Sequence, residues 1–188
     1  MKPKQSRRDF TQITPDEIRE GGCHPSPPRN QSNNPQKNQT MSSYNQSLYQ
    51  IVFSTKYRKP TLIKENRPIL YKFIWGILKN KNCHTYRING VEDHVHIICS
   101  LHPAVSLALL VKTIKSSSSK YLKSSGCFPE FEGWQEGYGA FTYSIDAKAN
   151  LINYVKNQEA HHKKKSAKNE LRELLIRHAV DYDDRYFE

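Results

Sequence analysis

The chain has 188 residues, with 29 Lys and Arg against 18 Asp and Glu and a formal net charge of +11. This length suits one domain with a genuine core and leaves little room for two. A net charge this positive favours a polyanionic partner, and nucleic acid is the first candidate. The alternative is a basic protein that has no such partner. The chain has no run of about 18 apolar residues, so no membrane span is predicted. It has no apolar N-terminal segment, so no secretory signal is predicted. The four cysteines show no CxxC spacing, which predicts reduced thiols and a cytoplasmic protein.

The first 40 residues differ in composition from the rest of the chain. They contain no Leu, Val, Trp or Tyr, and residues 21–40 are rich in Pro, Asn, Gln and Ser. Such a segment cannot bury enough apolar surface to offset the entropy of ordering. We therefore predict a disordered N-terminal extension at 1–43 and one folded domain at 44–188. The sequence leaves open whether the extension is a native tail or reflects a start codon assigned too early.

Alternating strand and helix patterns fill the rest of the chain. Runs rich in β-branched and aromatic residues predict strands at 47–58, 83–90, 93–101 and 138–144. Apolar residues at helical spacing predict helices at 64–82, 104–123, 146–164 and 166–179. The order βαββαβ followed by two helices predicts an α+β, ferredoxin-like (split βαβ) fold. Such a fold has a four-stranded antiparallel sheet with helices on one face, here with C-terminal helices added.

Two of the predicted helices begin at polar residues typical of N-caps. Asp146 is expected to cap the third helix and Ser166 the fourth, because their side-chain oxygens can accept from free backbone N–H groups. Glu170 lies in the region of a capping box with Ser166.

The stretch "EDHVHIICSL" at 92–101 contains two histidines two residues apart in an otherwise apolar strand. In a strand, residues i and i+2 share a face, so His94 and His96 stand side by side. Val95 and Ile97 point to the opposite face. Two neighbouring neutral imidazoles can bind one divalent cation. The alternative for each is a satisfied core histidine, and Asp93 is either a partner of the pair or a turn residue.

The third predicted helix carries polar side chains on one stripe. Four of its residues occupy positions i, i+4, i+7 and i+8: Tyr154, Gln158, His161 and His162. These residues either form a solvated edge, with Tyr154 half buried, or bring a phenol and an amide near the imidazole pair. A tyrosine can form a covalent phosphotyrosyl bond when a metal polarises a phosphodiester.

Together these motifs resemble a known family. "HVH" resembles the His-hydrophobe-His strand of HUH endonucleases, and "INYVKNQ" resembles the catalytic helix of single-tyrosine transposases of the insertion-sequence-200/605 type (IS200-like transposases). Further matching segments are "YQIVFSTKYRKP", "GVEDHVHIICSL", "WQEGYGAFTYS" and "YDDRYF". The resemblance covers nearly all of residues 44–187, whereas residues 1–40 have no counterpart in it.

The resemblance implies a DNA transposase whose catalytic domain is 44–188. Tyr154 would attack a phosphate of single-stranded DNA, leaving a 5′-phosphotyrosine link and a free 3′-OH, and rejoining by a 3′-OH would reverse the step. His94, His96 and Gln158 would bind Mg²⁺ or Mn²⁺, which polarises the phosphate. Because imidazole is a soft ligand for Mg²⁺, Mn²⁺ would support activity as well or better.

The resemblance also implies partners. The substrate would be a transposon end recognised through a DNA hairpin. Members of the family are homodimers in which the tyrosine helix of one subunit can complete the active site of the other. Such a protein would be associated with the bacterial nucleoid when it acts.

Two basic clusters predict where DNA binds. One follows the first strand, in "TKYRKP", and the other lies on the second helix, in "KTIKSSSSKYLK". Lys and Arg would neutralise phosphates and make binding salt-sensitive, and Tyr57 and Tyr121 could stack on unpaired bases. Exposed basic segments without a DNA role are the alternative for each. The predicted DNA-binding residues are Lys56, Tyr57, Arg58, Lys59, Lys112, Lys115, Lys120 and Lys123.

Two other functions compete with this one. A non-catalytic nucleic-acid-binding module can have the same sheet topology, but it would place exposed aromatic residues in the central strands, where this chain has histidines. A host-domesticated nuclease of the same family would share the chemistry and differ in its biological role, which the sequence does not distinguish.

Overall fold

Four strands form one antiparallel sheet, in the spatial order β2-β3-β1-β4. They are β1 (Tyr49–Ser54), β2 (His84–Gly90), β3 (His94–Ser100) and β4 (Gly139–Thr142). The structure is a computed structural model that describes residues 45–162 and 166–183. The helices of these residues are α1 (Arg67–Asn80), α2 (Leu107–Ser125), α3 (Lys148–Lys156), α4 (Gln158–His162) and α5 (Ala167–Arg177).

The order of the elements confirms the predicted ferredoxin-like α+β fold. β1 pairs antiparallel with β3 and with β4, and β3 pairs antiparallel with β2. The extension predicted at 1–43 lies outside the described residues, so its disorder and the start of the domain at 44 stay predictions. Within the described part of the chain, no helix is long and apolar enough to cross a membrane.

The two faces of the sheet are covered by different helices. Val95 and Ile97 are fully buried on one face, in the core that includes α1 and α2. Ile98 packs on the other face against Val155 of α3, and Leu174 of α5 packs beside them on β1 and β4. Because strand residues alternate between faces, the register that buries Ile97 under α1 and α2 also turns both histidines of β3 toward α3 and α5.

β1 is shorter than predicted because the chain turns sharply after it. Tyr57 and Arg58 have positive φ angles of 56° and 52°, which an extended strand does not allow. The backbone N–H of Lys56 donates to the Gly133 carbonyl oxygen at 2.8 Å, and the Tyr57 N–H donates to Oε1 of Gln135 at 2.9 Å. The prediction of a strand to residue 58 is therefore wrong, since its last residues bend toward the loop before β4.

The third predicted helix is split in two at Asn157. The side-chain amide of Asn89 in β2 donates to the Val155 and Lys156 carbonyl oxygens at 2.8 and 3.2 Å. These carbonyl groups would otherwise accept from the next helical turn. α3 ends at this point, and α4 begins after Asn157.

The predicted helix caps have different outcomes. Ser166 caps α5 as predicted, since its hydroxyl oxygen accepts from the Asn169 N–H at 3.3 Å. Asp146 does not cap α3, because it lies in a short 3-10 turn and Ala147 occupies the cap position. Glu170 forms no capping box, because its side chain is buried against the sheet.

Gly90→Ala is expected to destabilise the protein, because a methyl group there would lie 2.2 Å from the backbone oxygen of His94. Paired backbones cannot move apart cheaply, so we expect the free energy of unfolding to fall by about 1–3 kcal/mol in urea denaturation. Gly76→Ala is the control, since an added methyl group there in α1 meets nothing within 4 Å and alanine favours a helix. Equal stability of the two variants would contradict the close approach.

Candidate metal centre and tyrosine site

The two histidines of β3 are buried side by side. His94 is 2% exposed and His96 is fully buried, and their ring centroids lie 4.9 Å apart. They share a face of the sheet, as the alternation of strand residues predicts. Both Nε2 atoms are buried and have no well-aligned hydrogen-bond partner among the described residues. Because buried polar atoms are normally satisfied, two unsatisfied imidazole nitrogens side by side are typical of a ligand site.

The other ring nitrogen of each histidine is held by a polar side chain. Nδ1 of His94 lies 2.6 Å from Oδ1 of Asp93, and Nδ1 of His96 lies 3.0 Å from the Gln50 side-chain amide in β1. The Tyr143 hydroxyl group donates to the same amide at 2.6 Å. Such outer partners fix the orientation and tautomer of metal-binding histidines. Binding of a metal at Nε2 of His96 requires the Nδ1–H tautomer, so the Gln50 amide would turn its oxygen to Nδ1 and its NH2 group to the Tyr143 oxygen, which would then accept.

Burial and neighbouring carboxylates give the two histidines opposite charge states. Burial lowers the pKa of His96 to about 4, so this ring is neutral at neutral pH. Burial opposes the charge of His94 as well, but the hydrogen bond to Asp93 and the nearby Glu170 carboxylate outweigh it and raise the pKa of His94 to about 9. His94 is therefore a cation beside two carboxylates, and binding of a metal at its Nε2 would require release of that proton.

Glu170 of α5 lies at the centre of the site. Its side chain is 3% exposed. Burial alone would raise its pKa, but the close contacts with the surrounding histidine rings hold that pKa well below its usual range. Oε2 lies 2.7 Å from Nε2 of His162 and 3.5 Å from Nε2 of His94, while Oε1 lies 3.4 Å from Nε2 of His96. The carboxylate is thus surrounded by three imidazoles.

The predicted nucleophile and the predicted third ligand both contact this carboxylate. The Tyr154 hydroxyl group of α3 donates to Oε1 of Glu170, and Nε2 of Gln158 in α4 donates to the same oxygen at 2.9 Å. Gln158 is fully buried, and its Oε1 has no hydrogen-bond partner among the described residues. The Tyr154 ring centroid lies 6.2 Å from that of His96. Burial and the adjacent carboxylate raise the pKa of Tyr154, so the phenol is protonated.

The side chains of the site fit a divalent cation. One ligand atom from each of four residues lies within 4.8 Å of the other three: His94, His96, His162 and Glu170. Imidazole and carboxylate ligands together favour transition metals such as Mn²⁺ over Mg²⁺. A bound cation would also satisfy the buried Nε2 atoms of the histidine pair. The described residues therefore include a cluster suited to a divalent metal, and the cluster does not fix which metal.

The sequence prediction placed His162 on the right stripe but did not identify Glu170 as a site residue. A capping box needs Glu three residues after Ser166, a position that Asn169 holds, so the spacing already excludes that role for Glu170. Glu170 also shares a helix stripe with buried Leu174. A carboxylate on an apolar stripe is the signal that could have found it. The side chain of His161, the remaining member of the predicted stripe, lies outside the described residues.

Two buried polar residues hold α3 and α4 in place. Asn89 binds the carbonyl groups at the end of α3. Arg67 at the start of α1 is also buried, and its Nη1 lies 3.1 Å from Oε1 of Glu159 in α4. These contacts on both sides of Asn157 fix the segment that carries the tyrosine and the glutamine.

A cavity of about 440 Å³ opens beside the cluster. Its walls come from β1, β3, α5 and the loop before β4, and they include Glu170 and both histidines of β3. Arg58 lines the same cavity, which places one predicted DNA-binding residue next to the cluster. Its neighbour Tyr57 is 69% exposed, with the Lys56 ammonium group 5.0 Å from the ring centroid.

The remaining basic residues lie in several settings. Lys59 pairs with Glu132 at the surface. Lys115 of α2 donates to the Gln135 and Gly137 carbonyl oxygens at 2.7 and 2.5 Å, so it supports the loop that lines the cavity. The exposed lysines of α2 are Lys112, Lys120 and Lys123. The DNA contacts of all these residues stay predictions.

Tyr121 of α2 has a packing role in the fold. Its ring stacks on Phe73 of α1, with ring centroids 4.3 Å apart and planes 5° from parallel. Packing against Phe73 is enough to explain an aromatic residue at position 121, so no stacking on a DNA base is needed to explain it.

Comparison with known proteins places the chain among the transposases, enzymes that act on DNA. Residues 43–158, more than half of the chain, match the family described as "Transposase IS200 like". The chain therefore belongs to the IS200-like transposase family. The match ends at Gln158, so α5 and its Glu170 lie beyond the matched segment.

Two similar proteins are also transposases. The transposase for insertion sequence element IS200 of Salmonella typhimurium is 26% identical over 115 residues, covering 58% of this chain and 75% of the relative. The ISDra2 transposase TnpA of Deinococcus radiodurans is 22% identical over 117 residues, covering 58% of this chain and 82% of the relative.

Two solved structures share the fold. A crystal structure of a candidate transposase from Deinococcus radiodurans has a TM-score of 0.50 and 24% identity, covering 62% of this chain and 95% of its own. A REP-associated tyrosine transposase bound to a REP hairpin has a TM-score of 0.50 and 13% identity, covering 65% of this chain and 74% of its own.

Asn89→Leu is expected to loosen α3 from the sheet, because it removes the donor from the Val155 and Lys156 carbonyl oxygens while keeping the branched shape of the side chain. Leaving buried polar groups unsatisfied costs about 1–3 kcal/mol, which urea denaturation would measure as lost stability. Asn150→Leu, at an exposed position of α3, is the control. A loss no larger than that of the control would mean that Asn89 does not anchor the helix.

Proposed function

We propose that this transposase cleaves and rejoins single-stranded DNA at transposon ends through a 5′-phosphotyrosine intermediate. The observation that carries the proposal is the position of the Tyr154 hydroxyl group, which shares the Glu170 carboxylate with the buried histidine pair. Membership of the IS200-like family supports DNA as the substrate. In this proposal, His94, His96 and Gln158 hold Mg²⁺ or Mn²⁺.

In the proposed step, the phenolic oxygen of Tyr154 forms a bond to the phosphorus atom of a phosphodiester as the bond from phosphorus to O3′ breaks. Tyr154 releases its proton to water, and the departing O3′ takes up a proton, so no net proton is consumed. The 5′ end of the DNA stays on the tyrosine. A free 3′-OH can reverse the step, which joins strands without a nucleotide cofactor. A divalent cation in the site would polarise the phosphate and offset the charge on its oxygens.

The residues around Tyr154 would position the reacting groups. The hydrogen bond to Glu170 holds the hydroxyl group beside the histidines, and the contacts of Asn89 and Arg67 fix the helices behind it. Holding a nucleophile in place in this way removes much of the entropic cost of reaction. Arg58, on the wall of the adjoining cavity, would bind a phosphate of the DNA strand.

We also propose that the substrate is recognised through a DNA hairpin. The REP-associated tyrosine transposase, whose fold is similar, is bound to a REP hairpin in its structure. In this chain, the basic turn after β1 and the exposed lysines of α2 would neutralise hairpin phosphates. The protein would act in the bacterial cytoplasm, associated with the nucleoid.

A homodimer with exchanged tyrosine helices is the proposed assembly. Tyr154 contacts Glu170 of its own chain, so the site as described is built from one subunit. An exchange would carry α3 and its tyrosine to the histidines of the partner. The turn at Asn157, between α3 and α4, lies at one end of the segment that would move.

The two competing functions differ in how well they suit this structure. A binding module that stacks bases on its sheet needs an open sheet face. α3 and α5 pack on the face that carries the histidines, and α1 and α2 pack on the other. A host-domesticated nuclease would use the same residues and the same chemistry.

Tyr154→Phe is expected to abolish the covalent protein–DNA adduct, because the nucleophilic oxygen is lost while the ring is kept. Full-length protein would be incubated with labelled single-stranded hairpin DNA and Mn²⁺, and the adduct would be detected on a denaturing gel. Tyr121→Phe, a tyrosine between α1 and α2, should form the adduct normally. An adduct formed by Tyr154→Phe would overturn the nucleophile, and cleavage unaffected by a chelator would overturn the metal requirement.

Arg58→Gln is expected to weaken DNA binding and to make it less sensitive to salt. Loss of one phosphate contact should reduce the slope of log affinity against log salt by about 0.7 for a single strand. Fluorescence anisotropy with the same hairpin DNA would measure both quantities. Lys72→Gln, an exposed position of α1 outside the cavity, removes the same charge as a control. A slope unchanged from wild type would exclude Arg58 as a phosphate contact.

A further inference from the structure

We infer that Glu170 and His162 are ligands of the metal, together with His94 and His96. This inference rests on the proposed function, because it concerns the same metal site. Glu170 and His162 both lie beyond the segment that matches the transposase family, which ends at 158. The site would therefore be completed by α4 and α5, and not by the matched domain alone.

The distances between the four side chains suit a shared ion. Nε2 of His162 and Oε2 of Glu170 are 2.7 Å apart, and the carboxylate oxygens lie 3.5 and 3.4 Å from Nε2 of His94 and of His96. Ligand atoms on one ion, at bond lengths of about 2.0–2.2 Å, lie roughly 3 Å from one another. The four ligand atoms therefore need only small movements to surround one cation.

The burial of these groups also favours a ligand role. A glutamate is almost never fully buried unless it is paired or coordinates a metal, yet Glu170 is 3% exposed. The Nε2 atoms of His94 and His96 face this carboxylate without well-aligned hydrogen bonds. A cation between the imidazoles and the carboxylate would satisfy all of these atoms.

The two oxygens of Glu170 would then have separate roles. Oε1 accepts hydrogen bonds from Tyr154 and from Gln158, whereas Oε2 faces His162 and His94. Oε2 would bind the ion while Oε1 keeps the tyrosine beside it. One carboxylate would thus join the nucleophile to the metal site.

The competing explanation is a purely structural ion pair between Glu170 and protonated His94. In that case Glu170 contributes to folding and has no effect on metal binding. Metal affinity, measured without DNA, separates the two explanations, because an ion pair would affect stability alone.

The experiment measures Mn²⁺ affinity of the full chain by electron paramagnetic resonance of free Mn²⁺. Glu170→Gln keeps the shape of the side chain, and we expect it to weaken Mn²⁺ binding more than tenfold. We expect the same of His162→Asn. Glu173→Gln, an exposed position of the same helix, makes the same change of charge and should bind as wild type does. Circular dichroism would confirm that each variant is folded.

A second readout counts the imidazole ligands directly. Electron spin-echo spectra of bound Mn²⁺ should show nitrogen couplings from three imidazoles in the wild type and from two in His162→Asn. Wild-type affinity in either Glu170→Gln or His162→Asn, or couplings from only two imidazoles in the wild type, would overturn the inference.

His96→Ala separates this inference from the proposed function. It removes a ligand under both accounts and should weaken Mn²⁺ binding whatever the role of Glu170. If only His96→Ala weakens binding, the inference is wrong and the proposed metal site stands. If His96→Ala binds Mn²⁺ as wild type does, or the wild type binds none, the proposed metal site and the inference are both wrong.

Discussion

The site depends on one buried carboxylate, Glu170, surrounded by three imidazoles and a phenol. A buried carboxylate is stable only with such partners, and removing one partner of a buried charge pair typically costs about 3–5 kcal/mol. This requirement ties α5 to β3 through His94 and ties α3 to α5 through Tyr154. Segments far apart in the sequence meet at this carboxylate because a buried charge is stable only when partners surround it.

The sheet supplies the fixed side of the site. A slip of one residue in the pairing of β3 would turn both histidines into the core under α1 and α2, so the burial of Val95 and Ile97 on that face locks the imidazoles on the other. Gly90 permits the close approach of β2 to the start of β3. Asn89, the residue before Gly90, donates to the carbonyl groups at the end of α3. This contact holds the tyrosine of α3 beside the histidines.

The sequence predicted the fold and the facing of the histidine pair because both follow from periodicity. Strand alternation places His94 and His96 together, and helical spacing places Tyr154 and Gln158 on one stripe. The break between α3 and α4 at Asn157 could not be predicted, because it depends on a contact with the Asn89 side chain of β2. For Glu170 the only local signal was a carboxylate on the apolar stripe of α5, because its partners come from β3, α3 and α4, and local patterns do not identify such long-range contacts.

The most direct test of the account is to identify the residue that becomes linked to DNA. After reaction of the full chain with single-stranded hairpin DNA and Mn²⁺, trypsin digestion should place the nucleotide on the peptide 149–156, in which Tyr154 is the only tyrosine. Mass spectrometry would detect that peptide with a 5′-phosphotyrosyl link. A link on any other peptide, or cleavage with no covalent link at all, would contradict the account.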